Sequence, residues 1–206
     1  MDLKERVIKE SVDLFVRYGI RSVTMDDIAK HFAISKKTLY QNFKDKEDLV
    51  LQATDYHLNQ NCTEMDEVTQ DARNAVEHLF KLSKYVRENF KSYKHSSALM
   101  DLKKFYHKAW KVYLEFENNY IKNEVIAILN QGVSEGYFRE EINPEILAAL
   151  RIQEIQMSFD SELFPLNKFP IVDIQCELLD HFIYGILTPK GEELLNSYKN
   201  QLVHEN

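Results

Sequence analysis

Residues 24–48, Thr-Met-Asp-Asp-Ile-Ala-Lys-His-Phe-Ala-Ile-Ser-Lys-Lys-Thr-Leu-Tyr-Gln-Asn-Phe-Lys-Asp-Lys-Glu-Asp, restrict the fold of this chain more than any other stretch. Thr24 followed by Asp27 is a capping-box pattern, Ser35 is placed to cap a second helix, and Asp45 with Asp48 opens a third. Ile28, Ala29 and Phe32 make one apolar face, and Leu39 and Phe43 another. The pattern predicts two short helices joined by a tight turn, then the start of a longer helix. The second short helix carries lysines, hydroxyls and a tyrosine, with no acid between Ile34 and Lys44. That equipment suits a helix lying in the major groove of B-DNA, which admits one α-helix.

The remaining sequence predicts an all-α protein. Leu3, Val7, Ser11, Leu14, Phe15 and Tyr18 form an inward face from Leu3 to Tyr18, ended by Gly19. Leu49, Ala53 and Tyr56 carry a fourth helix as far as Asn61, before a polar stretch over 62–71. A stripe of Val76, Leu79, Phe80, Ser83, Val86 and Phe90 follows, with a break at Ser96-Ser97. A long segment from Ala98 to Glu135, interrupted near His107, is stopped by Gly136. Asn143-Pro144 starts a helix to Leu163. Pro165 and Pro170 bracket a loop, and a strongly apolar helix runs on to Leu187. Pro189 and Gly191 break it, and Leu194, Leu195, Tyr198 and Leu202 line the last helix. With only 5 Gly and 4 Pro in 206 residues, the chain has too few turn formers for an all-β fold and no glycine-rich phosphate loop.

The net charge of −7 argues, taken whole, against nucleic acid. Its distribution reverses that inference. Residues 1–50 carry 10 Lys+Arg against 9 Asp+Glu, and the remainder carries 16 against 24. The local field near phosphate matters more than the total. Cys62 and Cys176 form no spaced pair and are expected to be reduced thiols in the cytoplasm. No apolar run reaches the roughly 18 residues of a membrane span, and the N-terminus does not read as a signal peptide. None of the 7 His falls in a zinc or His-Glu-x-x-His pattern. Glu177 and His181, four apart on one helix face, suit a helix salt bridge better than a metal. No nucleophile elbow or dinucleotide fingerprint occurs. No enzyme activity, cofactor or metal is expected.

The order Thr24…Ile28-Ala29…Ile34-Ser35-Lys36-Lys37-Thr38-Leu39-Tyr40…Phe43…Lys46-Glu47…Leu49, with Phe15…Tyr18-Gly19 upstream, closely resembles the N-terminal signature of the TetR (tetracycline-repressor) family of bacterial transcription regulators. Ile128-Leu129…Gly132…Glu135-Gly136-Tyr137-Phe138…Ile142-Asn143-Pro144-Glu145 resembles that family's link between its seventh and eighth helices. Ala33 stands where the family usually has glycine, and alanine enters a left-handed turn only at some cost.

The resemblance implies a helix-turn-helix DNA-binding domain at 1–48 and a helical effector-binding and dimerisation domain at 49–206. Thr24, Tyr40 and Lys46 would hold phosphates, with Lys44 placed to help. Lys36, Lys37 and Thr38 would face the groove, and Ser35 would cap their helix. The expected partners are a palindromic double-stranded operator bound by a homodimer, and a small effector; no membrane is involved. Tyrosine-rich aromatics in the middle of the chain, among them Phe80, Phe105, Tyr106, Trp110, Tyr113 and Tyr120, would line a pocket for a hydrophobic or aromatic effector. Ile155, Phe159, Ile174, Leu178 and Phe182 would form the dimer interface, since the second of the two C-terminal helices is apolar around most of its circumference. Repression is the expected outcome, relieved when the effector displaces the fourth helix.

Overall fold

The computed structural model describes residues 2–90, 98–165 and 167–204. The expected Ser96-Ser97 break lies outside them, as do the side chains of Phe90 and Leu202. The helices are α1 Leu3–Tyr18, α2 Met25–His31, α3 Lys36–Asn42, α4 Lys46–Thr69, α5 Ala75–Phe90, α6 Ala98–Phe105, α7 His107–Phe116, α8 Lys122–Ser134, α9 Pro144–Met157, α10 Ile171–Ile186 and α11 Pro189–His204. A π-helical turn, Glu117–Ile121, joins α7 to α8. Among the described residues there is no strand; one isolated antiparallel bridge pairs Phe138 with Leu187. The all-α expectation holds.

The chain packs as two compact units. One comprises residues 1–63 with α6 and α7; the other comprises the end of α4 from Glu64, α5, the π turn and α8 to α11. This division differs from a boundary after residue 48, because α6 and α7 pack on the N-terminal core. Ala98, Leu102 and Ala109 are buried there with Val7, Phe15, Ile28, Leu39, Phe43 and Leu49. The second core gathers Val76, Leu79, Ile128, Leu129, Phe138, Leu179, Phe182, Ile183 and Leu195. Each Val, Leu, Ile or Phe among them contributes about 1.5–3 kcal/mol by leaving water.

Local chemistry sets the helix ends. Asp2 and Glu5 form a capping box on α1, and Gly19, with φ 79°, closes it by donating to the Phe15 carbonyl at 2.9 Å. Val7, Ser11 and Phe15 are buried as expected, but Tyr18 is 57% exposed. It stands at the edge of that face, where Gly19 turns the chain away and the Arg17 guanidinium lies 6.0 Å from its ring centroid.

Two helices have different lengths from those expected. α4 continues through the polar stretch to Thr69. Thr63 and Thr69 turn their hydroxyls back onto the carbonyls of Asn59 and Met65, at 3.1 and 2.8 Å, so the polar side chains sit on the helix rather than ending it. α9 stops at Met157 rather than Leu163. The Asp160 carboxylate takes the backbone N–H groups of Glu162 and Leu163, at 2.9 and 3.2 Å, and makes a turn of what would have been helix. Pro189 opens α11 rather than breaking the chain, as a first-turn proline can.

Candidate nucleic-acid interface

The α2–α3 unit is held from inside and offers polar groups outward. Ile28, Leu39 and Phe43 are at most 1% exposed. With Leu39 inward, the helical period leaves Lys36, Lys37, Tyr40 and Lys44 on the outer face, all exposed. The Ser35 hydroxyl accepts the Thr38 N–H at 3.0 Å and shares a 2.8 Å hydrogen bond with the Thr38 hydroxyl. Ser35 and Thr38 therefore direct their hydroxyls at the cap, whereas the side chains of Lys36, Lys37 and Tyr40 are exposed.

The turn between α2 and α3 has the geometry the resemblance requires in spite of Ala33. Ala33 is at φ 52°, the one non-glycine residue with positive φ among those described. Its N–H donates to the Lys30 carbonyl at 3.1 Å, and the Ile34 N–H to the Ala29 carbonyl at 3.0 Å. These are the two bonds of a Schellman motif. Its left-handed conformation is disfavoured for a residue with a Cβ. Ala33→Gly is expected to stabilise the chain by about 0.5–1 kcal/mol, the relief of strain less the extra chain entropy of glycine. Denaturant unfolding measures this; an unchanged or lower midpoint counts against a strained turn.

The ends of α2 and α4 converge on Asp27. Thr24 and Asp27 form the expected capping box, with the Thr24 hydroxyl donating to the carboxylate at 2.6 Å. That bond, first of several, holds the Asp27 carboxyl below its ordinary value. Lys46 is half-buried, with its ammonium 3.5 Å from the Arg21 carbonyl. Burial lowers its pKa most, and the Asp101 and Asp27 charges partly restore it against Arg21. Asp101 on α6 also accepts the Arg21 N–H at 3.0 Å, and the Arg21 guanidinium stacks 4.3 Å over the Phe105 ring. Thr24 and Lys46 are thus fixed by a shared polar cluster, while Lys36, Lys37, Tyr40 and Lys44 lie on the outer face of α3 and its exit.

Lys36 is not free on that face. Its ammonium is 2.7 Å from the Asp26 carboxylate of α2. No local pattern signals this pairing, because the acid lacking from α3 comes from the neighbouring helix. Asp101 was also missed: it lies 80 residues from its partner, and no local pattern marks such a contact.

A model of bacterial regulatory proteins of the tetR family matches residues 7–53, which span α2, α3 and the start of α4. Over this N-terminal segment the chain is similar to the TetR family of bacterial transcriptional regulators. YerO of Bacillus subtilis, an HTH-type transcriptional regulator, is 38% identical over 68 residues, which are 33% of this chain and 24% of YerO. The chain therefore matches about a quarter of YerO's length. YvaF of the same organism, another HTH-type regulator, is 26% identical over 193 residues, covering 89% of this chain and 95% of YvaF. Among solved structures, KstR2 of Mycobacterium tuberculosis superposes with a TM-score of 0.61 at 21% identity, covering 91% of this chain and 96% of that one. The matched segment is a helix-turn-helix of the tetR type, and the solved structures share the all-helical fold of the whole chain.

The aromatics expected to line one pocket are distributed between the two units. Phe105, Tyr106, Trp110 and Tyr113 lie in the N-terminal unit, and Phe80 and Tyr120 in the other. Trp110 stacks on Tyr113 at 5.0 Å, and Phe80 on Tyr198 at 5.8 Å. Tyr120 lines a cavity of ≈ 40 Å³ with Met65, Asp66, Thr69, His78, Leu82, Ile121, Glu124, Val125 and Ile128. The Tyr120 hydroxyl donates to Asp66 at 2.5 Å. Burial, with the Asp66 charge, pushes the Glu124 carboxyl up.

Burial in that wall also holds His78 below its ordinary pKa, aided by Lys81 and opposed by Asp66. The folded chain then binds fewer protons at this ring than the unfolded chain, so stability rises with pH from the folded pKa up to about 6.5. Thermal midpoints are expected to fall between about pH 7.5 and about pH 5.5, and His78→Gln to flatten that part of the profile. A variant profile parallel to wild type would remove His78 from the account.

The expected interface residues are placed unevenly. Ile174 and Phe182 are each 6% exposed, buried by their own chain, which corrects the view of α10 as apolar beyond what one protomer covers. Ile155, Phe159 and Leu178 are half-buried. The outward line of α10 is polar, Asp173, Glu177 and His181, up to Tyr184. On α9 it is largely apolar: Ile146 is 65% exposed, Leu150 48% and Met157 37%, with Ala149 and Gln153 between them. The inner side of α9 is mixed, with Ala148 and Ile152 buried beside polar groups. A buried Arg151–Glu154 pair at 3.2 Å lies there, and the Gln175 amide of α10 donates to the Ser158 hydroxyl.

Proposed function

We propose that this chain is a cytoplasmic repressor of the TetR type that binds a palindromic operator as a homodimer and releases it when a small effector binds. The observation that carries the reading is the outer face of α3 and its exit, with Lys36, Lys37, Tyr40 and Lys44 exposed over a fully buried Leu39–Phe43 anchor. Thr24, Tyr40, Lys44 and Lys46 hold phosphates, Lys36 and Lys37 face the groove, and Ser35 and Thr38 secure the helix that presents them. One such helix reads too few base pairs for a useful site, and two heads one DNA turn apart, about 34 Å, read a palindrome.

The exposed apolar line on α9 supports the dimer, since a self-complementary contact about a two-fold axis would cover it. Ile155, Phe159 and Leu178 extend that contact, with Ile174 and Phe182 backing it from the core. The apolar part of the small cavity, Met65, Leu82, Ile121, Val125 and Ile128, supports a hydrophobic effector. The cavity itself accommodates little more than a methyl group or water, so a larger effector enters by displacing Met65 or Tyr120. Phe80 is a further aromatic candidate in the same unit, and Phe105, Tyr106, Trp110 and Tyr113 are candidates in the N-terminal unit. KstR2 is named as a ketosteroid regulator; a flat apolar molecule is the same chemical class.

Footprinting of the purified protein on the DNA upstream of its own gene tests this reading. The expected result is a two-fold symmetric footprint, weakened about tenfold by Lys46→Ala through the loss of one phosphate contact. An unsymmetric footprint would overturn the dimer geometry. Absence of any footprint at low salt would overturn operator binding.

A further inference from the structure

The groove-facing end of α3 carries a charge pair rather than a lone cation. Lys36 and Asp26 meet at 2.7 Å with side chains 62% and 48% exposed, so both groups remain open to a ligand. Neither holds the fold together. The cap of α2 is made by Thr24 and Asp27, and the cap of α3 by Ser35 and Thr38. Asp26 is also an unusual group to place beside a polyanion, since a carboxylate there opposes phosphate. Its partner neutralises it and leaves an ammonium donor next to a carboxylate acceptor.

That order of groups matches one base pair. In the major groove a G·C pair presents two adjacent acceptors, guanine N7 and O6, then one donor, the cytosine N4 amino group. An A·T pair presents its donor between two acceptors and adds the thymine methyl, so an ammonium reaching for N7 and its neighbour meets the adenine amino group instead. We propose that Asp26 and Lys36 read one G·C pair in each half-site as a unit, Lys36 donating to guanine and Asp26 accepting from cytosine. Asp26 is then a specificity-determining residue supplied by α2. The proposal rests on the operator-binding reading above.

In vitro selection from a random duplex library, using the full-length wild type, Asp26→Asn and Lys36→Gln, tests it. The wild type is expected to select a G·C pair at symmetry-related positions, preferred ~5-fold or more over the other pairs. Both variants are expected to lose that preference at the same position and keep it elsewhere. Asp26→Asn moves it towards A·T, because asparagine pairs with the adenine edge. Equal thermal midpoints for the three proteins separate a lost contact from a lost fold. An Asp26→Asn selection identical to wild type overturns the proposal. So does an Asp26→Asn protein that binds all duplexes more tightly by one common factor, because Asp26 would then act by charge alone. A wild type that selects no sequence overturns operator binding, and this proposal with it.

Discussion

Phe43→Ala is expected to cost about 3–5 kcal/mol and to abolish DNA binding at temperatures where the wild type binds. Phe43 is 1% exposed and belongs to the core formed with Val7, Ile28, Leu39 and Leu49. Its N–H donates to the Leu39 carbonyl at 3.0 Å, so it also closes α3. α3 has seven residues, too few to persist as a helix without tertiary support. Lys36, Lys37 and Tyr40 therefore owe their positions to two buried anchors, and the loss of the larger one frees the helix. Trp110, the sole tryptophan, packs against this core, and its fluorescence reports the unfolding of this unit. A variant with the wild-type fluorescence midpoint and wild-type DNA affinity would show that α3 is held by something other than its anchors.

The second large effect is expected in the C-terminal unit. Gly132 lies in α8 where an added Cβ would stand 2.0 Å from the Phe138 ring. That ring is 1% exposed and fixed from both sides. The Tyr137 and Phe138 N–H groups both donate to the Gly132 carbonyl at 3.0 Å, after a left-handed Gly136 at φ 72°. Neither the helix nor the ring can retreat cheaply. Gly132→Ala is expected to cost about 3 kcal/mol, the upper part of the range for overpacking. The cause is checked by a double-mutant cycle with Phe138→Leu. The smaller side chain relieves part of the clash, so the two losses together should be at least about 1 kcal/mol less than their sum. Additive losses would mean that the glycine is needed for some other reason.

The same positions show what a sequence makes legible. The starts of α2 and α3 were clear because each carries a side-chain cap within four residues, and caps are local chemistry. The end of α4 was not, since Thr63 and Thr69 look like loop formers until their hydroxyls are seen on the helix's own carbonyls. The π turn at Glu117–Ile121 leaves no mark in composition. The outward residues of α3 were legible as types, lysine and tyrosine on one face. Their partners were not: Asp26 and Asp101 act across helices, and period and spacing are blind to that. The aromatics were the least legible. A tyrosine at helical spacing has the same signature whether it fills a core, as Tyr198 does, or borders a cavity, as Tyr120 does.

The crossing around Phe138 also bears on the order in which the chain can fold as it is made. The Arg139 N–H donates to the Ile186 carbonyl and the Thr188 N–H to the Tyr137 carbonyl, each at 2.9 Å. Gly191 leaves only room enough for that Tyr137 carbonyl. These partners are about fifty residues downstream of the segment they complete. On the ribosome the Gly132–Arg139 corner must wait, with its ring and carbonyls unmatched, until residues 186–191 emerge. The α1–α3 caps need nothing so distant. The part that reads DNA can begin to form early, whereas the C-terminal unit closes in one late step.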